Sequence, residues 1–441
     1  MTDLSRSALN IFDLRDMARR RLPKGLFDFI DHGCEDDIAL RNNRTALERI
    51  KLRTRALNDV SGRNLETTLF GQPQKLPIAI GPTGPAGLMC YRGEISIARA
   101  AAKAGIPFTL ASSSTTAMET VVRDGGGRQW FQLYMWRDRE RSYRIVERAK
   151  AAGFEALVVT VDSVVPMKRE HDVRNDFTIP VSLTPRNVVD LLCHPRWLAG
   201  VVGRHWLTTG MLKPENFMED DPSAKAVARP IGSPIDKNDS LTWEDLRILR
   251  DKWPRKLIVK GILNVPDAVS AADYGADGIV VSNHGGVVCD SALAPIDALE
   301  PIVRAVGSRL TVLVDSGYRR GSDIVKALAL GAKAVLIGRA TLYGAAAAGE
   351  AGADRAIDIL RDEMQRALAV LGCARIDELC RDHVVLESER VSDANAPDLA
   401  SFPRVRAEPE LRSVFTLGAG GPRTGDHDHS AIEFSQPETG P

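Results

Sequence analysis

The chain has 441 residues, with 58 basic and 58 acidic side chains and a pI near 7.1. That length suits one large barrel with insertions or two to three small domains, and the zero net charge excludes the basic face of a nucleic-acid binder. Six cysteines, at 34, 90, 193, 289, 373 and 380, form no CxxC pair, which points to reduced thiols rather than a disulfide frame or a zinc site. Met1-Thr-Asp-Leu-Ser-Arg6 lacks a secretory pattern, and no charge-free apolar run reaches the roughly 18 residues of a spanning helix. A cytoplasmic protein is expected.

In chain order, residues 1–75 predict a helical cap with irregular chain, its early helix ending at Pro23. From 76 onward short apolar runs alternate with amphipathic ones. The apolar runs Leu76–Ile80, Pro107–Ala111, Trp130–Met135, Ala156–Val161, Lys256–Ile262, Gly278–Ser282, Thr311–Val314 and Ala334–Ile337 predict eight buried strands. Helical patterns between them include Gly93–Ala104, Arg139–Ala152, Thr242–Trp253, Pro266–Tyr274, Pro295–Val306 and Ser322–Leu330. Eight strand–helix units point to an α/β fold, a closed (β/α)8 barrel over 76–380. The open doubly wound sheet ranks second, since no Gly-rich fingerprint follows the first strand. Residues 164–241 break the rhythm after strand four and predict a lid or interaction surface over the barrel mouth. Residues 396–441, rich in Pro, Gly, Ser and charge and carrying Asp-His427-Asp-His429, predict a disordered tail.

The strand ends carry polar residues that a core does not need. They are Pro82-Thr83-Gly84, Ser112 and Ser113, Gln132 and Tyr134, Thr160 and Asp162, Lys260, Ser282 and His284, Asp315 with Arg319, and Gly338-Arg339. Together they describe a polar cavity at the C-terminal face of the barrel, where catalytic groups sit. His284 and Asp162 have the chemistry of a base and its orienting partner. In Gly285-Gly286 the absence of side chains lets the backbone pass close to a ligand. The ends of strands seven and eight, including Gly317, suit a phosphate, and with no P-loop that phosphate points to a cofactor such as FMN. Lys260 is either a counter-charge for a reduced ring or a Schiff-base lysine, and Tyr134 either meets a substrate oxygen or packs inside.

The blocks Arg21-Leu-Pro-Lys, Gly33-Cys-Glu-Asp-Asp, Gly81-Pro-Thr-Gly, Phe131-Gln-Leu-Tyr, Val259-Lys-Gly, Ser282-Asn-His-Gly-Gly, Asp315-Ser-Gly-Tyr-Arg-Arg-Gly and Ile337-Gly-Arg-Ala occur in order and at barrel spacing. Together they resemble the FMN-dependent 2-hydroxy-acid oxidases and dehydrogenases, the mandelate dehydrogenases above all, from about Asp13 to about Leu379. The resemblance implies FMN contacted by Pro82, Thr83, Gly84, Ser112, Gln132, Thr160, Lys260 and Ser282. Asp315, Gly317, Arg319, Gly338 and Arg339 would hold its ribityl and phosphate. It further implies that His284 is the base, Asp162 its partner, Tyr134 the contact to the substrate oxygen and Arg169 the group facing the substrate carboxylate. Gly84 is similar to the mandelate dehydrogenases and favours an acceptor other than O2, such as a quinone or another carrier. A homotetramer and a peripheral membrane contact through 164–241 are also implied.

Three positions depart from the family pattern. Its turn reads Ser-Asn-His-Gly-Gly-Arg-Gln, but Val287 and Val288 stand for the Arg and the Gln here. Phe29 replaces an early-helix Tyr, and Ala111 a flavin-site Ser. Two of three carboxylate donors are thereby lost, so the expected substrate is a 2-hydroxy- or 2-amino-acyl compound whose carboxylate is masked as an ester, amide or carrier- or peptide-bound group. The competing reading is a mandelate-like free acid held by Arg169 alone. A flavin-binding protein without activity, or a non-redox isomerase of the type 2 isopentenyl diphosphate class, is disfavoured by the retained His284 and Asp162.

Overall fold

Eight short apolar runs form the central sheet: β1 (Ile78–Ile80), β2 (Phe108–Ala111), β3 (Gln129–Tyr134), β4 (Ala156–Thr160), β5 (Lys256–Ile262), β6 (Gly278–Val281), β7 (Thr311–Val314) and β8 (Ala334–Ile337). In this computed structural model each strand is parallel to the next, and β8 pairs with β1 to close the ring. This is the (β/α)8 barrel that the alternation predicts. Residues 4–177, 184–210, 212–216 and 239–389 are described. Two units divide the chain, Met1–Ala396 and Pro397–Pro441; the second, with the expected tail, lies outside the described residues, as does 217–238 of the insertion.

The observed strands start and stop within two residues of the predicted ones. The first is shorter because Pro77 has no N–H to give to a ladder, although its carbonyl accepts from Val335 at 3.0 Å. The helices are α1 (Ile11–Arg21), α2 (Lys24–Asp31), α3 (Ile38–Arg49), α4 (Gly93–Ala104), α5 (Met118–Gly125), α6 (Arg139–Ala152), α7 (Glu170–Arg174), α8 (Pro185–Leu192), α9 (Trp243–Lys252), α10 (Val265–Asp273), α11 (Pro295–Val306), α12 (Gly321–Ala329), α13 (Arg339–Ala348) and α14 (Glu350–Leu371). Local chemistry fixes several starts. Asn10 accepts the N–H of Phe12 and Asp13 while Asp13 returns a bond to Asn10 N–H, a capping box at α1. Asn264 caps α10, with Pro266 in its first turn. The sequence pattern gives no separate signal for α13, because its Ala340–Ala346 stretch is buried throughout and shows no polar face.

Inside the ring, Ala79, Trp130, Val158, Ile258, Val280, Leu313 and Leu336 fill the lower layers. A hairpin, Thr67–Leu69 with Gln72–Gln74, closes the floor, where Phe70 meets Trp130 edge-on at 5.7 Å. With the bottom plugged by side chains, the polar groups gather at the C-terminal ends of the strands. The end of α2 and the described parts of the insertion pack on that side. Arg339, just beyond β8, donates to Ile30 O and His32 O at 2.7 and 3.0 Å. Trp197 of the insertion is buried and donates from Nε1 to Leu88 O beyond β1 at 2.8 Å. Asn216 accepts the N–H of Met118 beyond β2 at 2.9 Å. Among the described residues no helix is long and apolar enough to cross a membrane.

Candidate active site

β6 runs Gly278-Ile-Val-Val281 into a turn in which His284 takes a left-handed backbone, φ +58°. That conformation is uncommon outside glycine and is held here by several partners. Ser282 Oγ accepts the His284 N–H at 3.0 Å, and Gly285 N–H donates to Ser316 Oγ at 2.9 Å. Asn283 exchanges side-chain hydrogen bonds of 2.7 and 3.0 Å with Asn43 of α3. Gly285 and Gly286 also make room for protein neighbours. A Cβ at Gly285 would lie 2.5 Å from Arg339 Nη1, and one at Gly286 2.6 Å from Leu40 N. The glycines admit the neighbouring strand end and the cap.

His284 Nδ1 lies 2.8 Å from Asp162 Oδ1, and its Nε2 lies 3.2 Å from the Tyr134 hydroxyl. Burial pushes the Asp162 carboxyl up, but the charges of His284 and Lys260 and the His284 hydrogen bond hold it below its ordinary range. An ionised Asp162 accepts a hydrogen bond from the Nδ1–H and leaves the Nε2 lone pair toward Tyr134. Burial, and then the Asp162 charge, push the Tyr134 phenol up, so it stays protonated. Asp162 reaches this position through a feature that the sequence reading did not identify. The β5–β6 ladder shifts register between Lys260 and Ile262, where Gly261 has φ +112°. A Cβ there would lie 2.6 Å from Asp162 Cβ.

Across the barrel mouth the polar strand ends join. Ser112 N–H and Oγ donate to Gln132 Oε1 at 3.2 and 3.3 Å, and Gln132 Nε2 donates to Thr160 Oγ1 at 2.9 Å. Buried Lys260 donates from Nζ to Ser282 Oγ at 2.9 Å and lies 3.3 Å from Asp315 Oδ2. An ammonium paired in this way fits a counter-charge rather than a Schiff base. Thr83 Oγ1 is buried without a partner, beside Pro82 and Gly84, and a Cβ at Gly84 would lie 2.6 Å from Ser113 Oγ. An orphaned hydroxyl at the mouth-side end of β1 fits a polar cofactor such as a flavin.

The two expected phosphate ends differ. The α12 N-terminus is already taken: Asp323 accepts the N–H of Arg319 and Arg320, and Glu363 that of Gly321 at 2.7 Å. Gly317, φ +91°, lets Asn43 and Arg44 of the cap close on the turn, with Arg44 Nη1 donating to its carbonyl at 2.7 Å. The α13 N-terminus at Gly338 has no side-chain cap. The Arg339 guanidinium is not aimed there; it donates to the carbonyls of Ile30, Gly285 and His32 at 2.7, 2.9 and 3.0 Å. Burial, with Arg319 and Arg169 nearby, brings it down to about 10. Neither Arg319 nor Arg339 has a carboxylate partner among the described residues, so an anion here would be met by uncompensated positive charge.

At the outer rim Arg169 donates from Nε to Asp172 Oδ2 at 2.7 Å and from Nη2 to Phe29 O at 2.5 Å. Its guanidinium lies 4.8 Å from the Phe29 ring centre, and Phe29 packs on Phe177 at 5.5 Å. Val287 is 9% exposed.

A closed barrel with a half-buried His–Asp pair, a lysine counter-charge and an uncapped helix end beside two arginines defines a flavin-dependent oxidoreductase acting on a carbon that bears a hydroxyl. Residues 18–386 match the FMN-dependent dehydrogenase family, and the chain belongs to that family. It is 42% identical over 395 residues to (S)-mandelate dehydrogenase of Pseudomonas putida, covering 90% of this chain and 98% of that protein. The crystal structure of the monotopic membrane protein (S)-mandelate dehydrogenase superposes with a TM-score of 0.81 at 41% identity, covering 86% of this chain and 100% of that one. An arginine-to-leucine variant of mandelate oxidase crystallised with 2-hydroxy-phenylacetamide superposes at 0.71 and 36% identity, covering 85% and 97%. The protein is therefore an FMN-dependent oxidoreductase of the 2-hydroxy-acid class.

Proposed function

We propose that this chain oxidises a 2-hydroxy-acyl compound whose carboxyl group is neutral, an amide or ester, to the 2-oxo compound. The observation that carries the reading is at the rim. Arg169 is already committed to Asp172 and the Phe29 carbonyl, while Val287, Phe29 and Phe177 are apolar. Bringing a carboxylate against such a wall costs several kcal/mol. An amide leaves no charge to satisfy, and the mandelate oxidase variant that lost an arginine was crystallised with one.

FMN, when bound, supplies the two-electron acceptor. Thr83, Gln132, Thr160, Lys260 and Ser282 would border its ring, with Asp315, Arg319 and the N–H groups at Gly338-Arg339 toward its phosphate. His284 Nε2 takes a proton from the substrate as the C–H bond breaks and the C=O bond forms. Asp162 fixes the His284 tautomer and stabilises the imidazolium. The Tyr134 hydroxyl, held protonated, donates to the substrate oxygen. The electrons leave to O2, a quinone or another carrier.

The test is anaerobic flavin absorbance on purified protein mixed with racemic mandelate and, separately, with mandelamide or methyl mandelate. The expected result is faster bleaching by the masked compounds. Faster bleaching by mandelate would overturn the proposal and assign the free carboxylate to Arg169. The same reading docks the insertion on a membrane surface, supported by exposed Val189 and Leu192 on α8, by exposed Trp206 and Leu207, and by the monotopic relative. It also takes the working form as a homotetramer, which light scattering after gel filtration measures.

A further inference from the structure

Two imidazoles and a carboxylate converge where the cap meets the segment after β4. His32 ends α2, Asp37 precedes α3, and His171 lies in α7, two residues beyond Arg169. His32 Nδ1 is 2.6 Å from Asp37 Oδ2, and His171 Nε2 is 3.5 Å from the same oxygen. One donor atom from each residue lies within 4.8 Å of the others. The rings stack with centroids 3.8 Å apart and an 18° tilt. Asp37 Oδ1 is fixed by the Gly33 N–H at 2.6 Å, which leaves Oδ2 facing both rings. The side chains are 30%, 13% and 26% exposed for His32, Asp37 and His171, open enough for an ion to enter. None of the three takes part in the chemistry assigned above.

We propose that His32, Asp37 and His171 bind a borderline first-row divalent cation of the zinc class. Imidazole nitrogen with one carboxylate suits such an ion, whereas magnesium and calcium prefer an all-oxygen shell. Tetrahedral bonds of about 2.0–2.1 Å place donor atoms about 3.4 Å apart. The His171–Asp37 spacing already matches. The His32–Asp37 pair opens by about 0.8 Å as the ion replaces the shared proton, one imidazole turns out of the stack so that both ring planes meet the ion, and water fills the fourth position. Ligands so far apart in the chain form no spacing motif, and for that reason the sequence gives no sign of them. The ion fastens the cap loop to the segment that carries Arg169, along the seam where Glu35 N–H already bonds to Lys168 O at 3.1 Å.

The experiment is a calorimetric titration of the full-length, FMN-loaded protein with zinc chloride in a non-chelating buffer. It reads binding alone, so its outcome is independent of which substrate the enzyme oxidises. One saturable site of micromolar affinity is expected, weakened at least about tenfold in His171→Ala and in His32→Ala. It is also expected to persist in the double variant His427→Ala/His429→Ala, which removes the other histidine pair that attracts metal. His171→Ala changes a partly exposed side chain and keeps the test usable if His32→Ala fails to retain flavin. Absence of saturable binding, or binding that survives His171→Ala and disappears with the tail histidines, would overturn the proposal.

Discussion

Placing an arginine at Val287 tests the functional reading most directly. Val287 is 9% exposed in the turn that begins at His284, three residues from the catalytic imidazole, so a guanidinium introduced there is the test of whether a charge on this turn serves the substrate. Asp290, the carboxylate nearest along the turn, is already taken by the N–H groups of Asp36 and Ala39 at 3.0 Å each. The substrate carboxylate then becomes the favoured anion. Two charge-assisted hydrogen bonds contribute about 1.5–3 kcal/mol each, and ordering a long side chain offsets about 2 kcal/mol of that. The net of about 1–4 kcal/mol corresponds to roughly 5- to 1,000-fold in kcat/KM for mandelate relative to mandelamide. Anaerobic stopped-flow reduction of Val287→Arg with each compound measures the ratio, with flavin absorbance confirming that the variant is loaded. A loaded variant whose ratio matches that of the wild type would refute the reasoning, because the missing charge would then not set the preference.

Asp162→Asn removes the buried charge behind His284. Flavin reduction should slow about 100-fold, some 3 kcal/mol, at nearly unchanged KM; a loss under threefold would remove Asp162 from the proton path. Gly261→Ala sets a Cβ 2.6 Å from that of Asp162 on a backbone of φ +112°. A destabilisation of about 1–3 kcal/mol and slowed reduction are expected, and wild-type Tm and rate together would show that the bulge does not position Asp162. Asp31 is buried, which raises its carboxyl, but hydrogen bonds from Arg15 and Tyr343 hold it below its ordinary range. A depressed carboxylate adds stability that is present above the unfolded pKa near 3.9 and is lost as pH falls through the folded value. Asp31→Asn should therefore lower stability at pH 7 and flatten its decline below about pH 4, as urea melts across pH would show. The pair Leu192→Glu and Trp206→Glu should abolish pelleting with anionic liposomes, and undiminished pelleting would place the membrane contact elsewhere.

The strands are legible because they are largely buried on both faces and read as near-continuous apolar runs, most plainly Ala334-Val-Leu-Ile337. His284 and Asp162 are 122 residues apart, yet both stand just beyond strand ends, so barrel topology alone brings them together. Residues whose work is to pair with a remote segment are not legible. Asn43, which meets Asn283, and Asp290, which accepts N–H groups at the start of α3 from across the turn, read as ordinary polar residues on amphipathic or irregular chain. Gly261 gives no signal because a register shift depends on what the neighbouring strand brings beside it. Arg339 is legible as a strand-end arginine, but the three carbonyls its guanidinium meets, at the end of α2 and in the His284 turn, are not, because they come from remote segments.

The Asn283–Gly286 turn is cast between two halves of a mould, and the first fifty residues are one of them. Without the cap, the Gly286 carbonyl would lose the Cys34 N–H, Asn283 would lose Asn43, and Arg339 would lose two of its three acceptors. A barrel trimmed to its strands and outer helices would keep its sheet while the histidine wandered. Exchanging this cap for a relative's would accordingly exchange part of the catalytic alignment as well, so cap and barrel are inherited as one instrument.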